Sequence, residues 1–256
     1  HRIKEARVVC HSESINGTRR SLDLVHVIRL VDAFHRRGES ISEEKLVKLY
    51  IFQVAPNPTK VRLYIAEKNA LGRALPVDEV SVNIPEGEAR TPEFLKKNPH
   101  GRLPVLELDD GRCYAESLAI IEYLEDKFPE PPMLGNTPEA RIEAREMERY
   151  IDVGVMMPIG QAVHATRSPI GLPPNPPVAD AANQRADGAL GYIDELMSDG
   201  RPFVMGEQPT VADCTLAAAL QFGRYGRLLC VSGHGHVATW DENYRSREAV
   251  RGIVIV

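Results

Sequence analysis

No apolar run in this sequence approaches the ~20 residues that a membrane-spanning helix requires, so it offers no candidate span. Cysteine is scarce: Cys10, Cys113, Cys214 and Cys230 lie far apart, with no CxxC and no metal-ligand spacing. That pattern argues against a disulfide framework or a bound metal and fits reduced thiols in a cytoplasmic protein. A surplus of one charge is also missing. The formal net charge is −5, and Lys and Arg alternate with Asp and Glu rather than forming blocks. Nothing therefore suggests a hold on nucleic acid or an anionic membrane. Methionine is absent before Met133, so His1 is not a natural initiator as written, and residues 1–20 carry no secretory h-region or pro-segment pattern. Residues 1–46 read either as a genuine extension or as upstream codons translated in error, with Val47 where a non-AUG start would put Met. The second reading is preferred, and the segment is assigned no function. Within it, Ser21 to Gly38 has the spacing of one amphipathic helix, with Leu24, Ile28, Val31 and Phe34 on one side.

What is present is ordinary globular material: 256 residues, of which 43% are hydrophobic and 26% charged. That length accommodates one large domain or two modest ones. Val47–Phe52 is a β-branched and aromatic run that predicts a strand. Ala55-Pro-Asn-Pro58 breaks it, with Asn57 suited to cap a helix and Pro58 to its first position. Thr59 to Leu71 then carries Val61, Tyr64, Ile65 and Lys68 at helical spacing, and Gly72 stops it. Further strands are expected at Val77–Ile84, Leu103–Leu108 and Arg112–Tyr114, the last two joined by a tight turn at Asp109-Asp-Gly111. Helices are expected at Thr91–Asn98 and Glu116–Phe128. The order β-α-β-α-β-β-α implies a mixed sheet with helices on both faces.

Residues 130–137 lie in the clearest linker, and no convincing strand follows until the extreme C-terminus. Helices are expected over about 138–166, 178–198, 210–225 and 236–252, interrupted by the Pro/Gly-rich stretch Ser168–Pro177. The fold class is thus an α/β domain at 47–129 and an all-α helical-bundle domain at 138–256.

Three places carry chemistry. The strand-to-helix turn at 53–59 aims unpaired N–H groups and a partial positive charge above the sheet edge, which suits an anion such as a thiolate. Many α/β proteins have such a turn for purely structural reasons. Leu103-Pro104 opens a strand where proline cannot donate to a ladder, which calls for an edge position or a cis bond. A cis bond would turn the Leu103 N–H and C=O toward an extended peptide ligand. Glu116-Ser117 starts a helix: the hydroxyl and local N–H groups suit a carboxylate and Glu116 an ammonium, although a serine here is most often an ordinary cap.

Together these pieces resemble the cytosolic glutathione transferase family. The matching stretches are VKLYIF…APNPTKVRLYIAEKN, GEARTPEFLKKNPHGRLPVLELDDG and CYAESLAIIEYLEDKFP. Farther on, PTVADCT contains Thr210 and Asp213 as a capping box, and WDENYRSR runs from Trp240 to Arg247. The resemblance covers about four-fifths of the chain and implies a thioredoxin-like first domain with glutathione as co-substrate. It implies that Leu103, beside Pro104, exchanges backbone bonds with the cysteinyl part. Glu116 and Ser117 would hold the γ-glutamyl ammonium and carboxylate, Arg102 would help at the same end, and Arg90 would meet the glycyl carboxylate.

One departure matters. Many relatives place Ser, Cys or Tyr at the thiol-facing position, where this chain has Ala55, and Tyr50 is expected to pack in the core. A subgroup with a similar APNP opening implies activation by the helix N-terminus, with Asn57 or Thr59 contributing and His164 reaching across the cleft. The plainer reading of His164 is a surface or packing residue. The expected reaction is attack of the glutathione thiolate on a small hydrophobic electrophile, in a pocket drawn from Met156, Met157, Ile159, His164 and Tyr225. The expected assembly is a homodimer. The alternatives are a glutathione-dependent lyase, isomerase, dehalogenase or peroxidase, a non-catalytic binding protein, and a glutathione-independent scaffold.

Overall fold

The computed structural model describes residues 47–228 and 230–255. The expectations for residues 1–46, including the helix at 21–38 and the state of Cys10, lie outside the described residues.

Strand β1 (Val47–Ile51) is central. It pairs in parallel with β2 (Val77–Ser81), Val47 opposite Val77, and antiparallel with β3 (Val105–Glu107), Tyr50 opposite Val105. β3 in turn pairs antiparallel with β4 (Cys113–Ala115), giving the order β2-β1-β3-β4. Alternation along β1 sends Leu49 and Ile51 into one core with α1 (Pro56–Ala70) and α3 (Ser117–Lys127). Tyr50 goes to the other face, where it meets Phe94 of α2 (Pro92–Lys97). Element order and the two helical faces are as expected. The strands are shorter than their apolar runs: β2 stops at Ser81 because its partner stops at Ile51, and β3 starts only after Pro104.

Helix α1 begins earlier than the sequence suggests. Ala55, in extended conformation, is the N-cap, so Pro56 takes the first position, and Asn57 lies inside the helix and does not cap it. The far end is a Schellman closure in which Gly72 N–H donates to Asn69 O (3.1 Å) and Arg73 N–H to Lys68 O (3.0 Å). Gly72 takes φ +98°, as this closure requires.

The remainder is helical. α4 (Pro138–Ile151) runs through a π turn (Asp152–Met156) into α5 (Met157–Arg167), so the single helix expected at 138–166 carries an inserted residue. α6 (Pro176–Leu196), α7 (Val211–Tyr225) and α8 (Gly235–Ser246) follow. The expected final helix stops at Ser246, and the β-branched run at 253–255 forms no strand. The Thr210–Asp213 capping box is formed as expected at the start of α7.

α1 is the joint of the structure. Nearly every residue from Pro58 to Lys68 is buried, because the sheet core lies on one side and α7 on the other. Its charges are met by side chains and carbonyls from several other elements, among them Glu79 of β2, which takes Arg62 (2.9 Å). Lys60 Nζ donates to Glu148 Oε1 (2.7 Å). Glu67 accepts a forked pair from Arg247. Lys68 Nζ meets Glu125 (2.7 Å) and the carbonyls of Phe128 (2.7 Å) and Pro131 (2.5 Å). Among the described residues no helix is long and apolar enough to cross a membrane.

Candidate functional site

The starts of α1 and α3 lie side by side, and their donor inventories differ. An α-helix leaves its first N–H groups without intrahelical partners, but proline has none to offer. In α1, Pro56 and Pro58 remove two of the first three, and Thr59 N–H already donates to Ala55 O (3.0 Å). The several unpaired donors expected at residues 56–59 therefore reduce to Asn57 N–H, supplemented by the exposed Asn57 side chain. Ala55 has no polar side chain, and Thr59 is fully buried. The Thr59 hydroxyl donates to Gln53 O (3.3 Å) and accepts from Gln221 Nε2 (3.4 Å). Thr59 thus braces the turn from within, which corrects the expectation that it faces a thiol.

α3 has the fuller set. Ser117, Leu118 and Ala119 all carry N–H groups, and no side chain caps them. The cap residue is Glu116, exposed and held at φ 72°, ψ 115°, a sparsely populated backbone state for a residue with a Cβ. Ser117 is therefore not the ordinary cap that a serine before a helix suggests. Its hydroxyl donates instead across the gap to Asn57 Oδ1 at 3.0 Å.

The third wall is the loop before β3. Leu103–Pro104 is cis, and Leu103 lies outside the strand ladder, which begins at Val105. The loop is shaped by a residue the sequence reading passed over. Buried Asn98 donates from Nδ2 to Arg102 O (2.8 Å) and accepts from His100 N–H (3.1 Å). Gly101 follows at φ +57°, where a Cβ would sit 2.6 Å from Ala89 O. The Asn-Pro-His-Gly string is turn chemistry that could have revealed both. Arg90 Nη1 donates to His100 O (3.0 Å), so Arg90 and Arg102, both exposed, flank one loop.

Three other expected residues are placed differently. Tyr50 is half-buried on the α2 side, its hydroxyl donating to Glu107 Oε2 (2.8 Å) and Lys97 lying over its ring (4.9 Å). Burial, then the Glu107 carboxylate, pushes its phenol up from the ordinary value. His164 on α5 is half-buried, with Nδ1 3.1 Å from Ser168 Oγ and its ring 6.0 Å from Phe222, which stacks on Tyr225. Burial holds its pKa below the ordinary histidine value, favouring neutral imidazole. Its contacts are Ser168 and Phe222, while Asn57 and Ser117 contact each other. The connection between the two runs through α7, where Gln221, next to Phe222, reaches Thr59. Of the residues expected to line an apolar pocket, Met157 and Tyr225 are exposed, whereas Met156 and Ile159 are buried in the core.

The glutathione S-transferase N-terminal domain family matches residues 49–132, and the corresponding C-terminal domain family matches residues 176–242. The chain belongs to the glutathione S-transferase family. Glutathione S-transferase 2 of Saccharomyces cerevisiae is 29% identical over 221 residues, 85% of this chain and 92% of that protein. The crystal structure of Gtt2 from the same yeast superposes with a TM-score of 0.71 at 30% identity, covering 80% of this chain and 99% of that one. A glutathione S-transferase domain-containing protein of Marinobacter aquaeolei gives 0.71 at 32%, with 79% and 99% covered. Human elongation factor 1-gamma is 33% identical over 132 residues, only 28% of its own length. The thioredoxin-like region followed by an all-helical region is thus the architecture of a glutathione S-transferase.

Proposed function

We propose that this glutathione S-transferase conjugates glutathione to a small hydrophobic electrophile, with residues 47–129 binding the peptide, 130–137 as linker and 138–256 receiving the second substrate. The reading is carried by one observation: two helix starts, joined by the Ser117–Asn57 hydrogen bond, face the same gap. The donor-rich α3 start suits the γ-glutamyl carboxylate, with Glu116 beside it for the ammonium. Leu103, next to Pro104, offers its backbone to the cysteinyl unit. Arg90 and Arg102 supply positive charge for the remaining carboxylate and the γ-glutamyl end. The thiolate then lies over α1, stabilised by Asn57 N–H, the Asn57 carboxamide and the helix dipole. His164, kept neutral by burial, faces the electrophile from α5 and is suited to share the thiol proton. We further propose a cytoplasmic homodimer.

Calorimetric titration with glutathione tests this. The intact protein should bind saturably, and Glu116→Gln should weaken binding about tenfold, the worth of one charge-assisted bond. Absence of binding at millimolar glutathione would overturn the assignment. Tyr50→Phe should leave turnover within about twofold while costing about 1 kcal/mol of stability, because it removes one hydrogen bond remote from the gap. A collapse of turnover in that variant would relocate the thiol-activating group.

Ala55, which lacks a donor, favours a second reading as a non-catalytic glutathione-binding protein. Binding without conjugation of any electrophile would select it. A lyase, isomerase or peroxidase using the same bound thiolate is the remaining alternative. Maleylacetoacetate isomerase of Pseudomonas aeruginosa is 37% identical over 99 residues, 45% of that protein.

A further inference from the structure

The turn that leads into α1 lies past the end of the sheet ladder. β1 pairs as far as Ile51, and the turn then closes locally, from Ala55 N–H to Phe52 O (3.0 Å). A further restraint reaches it from beyond α8. Ile255 N–H donates to Gln221 Oε1 (2.7 Å), Gln221 Nε2 to the Thr59 hydroxyl (3.4 Å), and that hydroxyl to Gln53 O (3.3 Å). Every direction in this relay is fixed by chemistry. A backbone N–H can only donate, so Oε1 must face Ile255 and Nε2 must face Thr59. Nε2 also only donates, so the hydroxyl oxygen accepts and its one proton goes to the Gln53 carbonyl. Gln221 and Thr59 are both fully buried, which keeps competing water from either. The bonds at Thr59 are long and the one from Ile255 is short, which puts the weak join at the turn. Behind Ile255, Ile253 and Val254 pack on the main core, and both their N–H groups donate to Val250 O (3.1 and 3.2 Å). The relay thus has a firm anchor and a soft end, and the soft end immediately precedes Ala55 and Asn57.

We propose that Gln221 is a positioning residue that ties the segment after α8 to the turn before α1, so that residues 253–255 set where Ala55 and Asn57 stand and thereby the rate of conjugation. The inference rests on the glutathione transferase reading and deepens it. It makes the thiol end of the site depend on a distant backbone N–H, while the carboxylate end at α3 is left untouched. Loss of the relay therefore separates turnover from glutathione affinity.

Conjugation of chlorodinitrobenzene, an activated aryl halide, and amide hydrogen exchange are measured together in the intact protein and in variants along the relay. Gln221→Leu and Thr59→Val should each lower kcat about tenfold, the scale expected for a small displacement of a reacting group. The glutathione KM should stay within about threefold, since the peptide's carboxylates are held elsewhere. The double variant should be no slower than either single one, because both break the same tie. Thr59→Ser keeps the hydroxyl and should retain turnover. Ile255→Pro removes the N–H and should slow turnover, whereas Ile255→Ala keeps it and should not. Thr59→Val should also speed exchange of the Ile255 amide, with the β1–β3 ladder unchanged. Gln221→Leu and Thr59→Val proteins that lose stability but turn over like the intact protein would overturn the proposal and make the tie purely structural. Additive losses, or equal turnover in the two Ile255 variants, would overturn it as well. An intact protein without conjugating activity would sink the underlying reading, and the tie would then be decided by exchange alone: a faster Ile255 amide in Thr59→Val upholds it, and an unchanged one overturns it.

Discussion

Asp213→Ala should lose about 4 kcal/mol of stability, within the range for stranding the partners of a buried charge. The carboxylate is fully buried and accepts four bonds: Val204 N–H (2.8 Å) and Trp240 Nε1–H (3.2 Å) on Oδ1, and Thr210 N–H (2.8 Å) and hydroxyl (3.1 Å) on Oδ2. One side chain thus starts α7, fixes the 203–206 turn and anchors α8. Removing it strands the buried Val204 N–H and Trp240 Nε1–H, and an unmet buried donor costs more than its bond contributes. Burial pushes the Asp213 carboxyl up to about 6, and the donated bonds pull the other way. Asp213→Asn should retain part of the loss, because its amide hydrogens would confront donors on one side. Urea denaturation measures this, and a loss below about 1 kcal/mol would show that the network is dispensable.

Lys60→Met is expected to be nearly as severe alone and almost silent in company. Lys60 and Glu148 are both buried, 2.7 Å apart, with Asp152 at 3.5 Å from the same ammonium. Glu148 Oε2 has no hydrogen-bond partner among the described residues. Removing the lysine leaves that carboxylate buried and uncompensated, a cost of about 3–5 kcal/mol. Replacing both, as Lys60→Met with Glu148→Leu, should return stability to within about 1 kcal/mol of the intact protein, since the pair is imperfectly satisfied. Asp152 keeps Arg149, and the Thr215 hydroxyl keeps Val211 O (3.0 Å). If the double variant is as unstable as the single one, the ion pair contributes net stability of its own.

The elements most legible in the sequence were those whose cause is local. The capping box at Thr210 and Asp213, the stop at Gly72 and the special peptide geometry at Leu103–Pro104 each follow from the covalent chemistry of one or two residues. The misplaced cap of α1 was a contest between neighbours: Asn57 is the better capping side chain, but two prolines in the first turn are cheapest when Ala55 caps. What the sequence could not reveal was pairing at a distance. Gln221 meets Thr59 and Ser117 meets Asn57 across 162 and 60 residues, and neither leaves a periodicity or motif. The all-round burial of α1 was equally hidden, because the charged partners Glu125, Glu148 and Arg247 that make it possible lie far away in the chain.

The π turn at Asp152–Met156 changes what a single-residue insertion or deletion would mean in this helix. An i→i+5 bond holds one residue more than the α register, and each residue is worth about 100° around the axis. Deleting one residue there would restore the α register and leave the downstream faces nearly in place, whereas a deletion in α4 upstream of it would shorten the rod by ~1.5 Å and swing everything downstream by more than a quarter turn. His164 would leave its place beside Phe222, and Met157 would trade solvent for core. Over this stretch the direction in which His164 and Met157 face is encoded as a phase, and a change in length would re-aim a whole helix face that substitutions could alter only one side chain at a time.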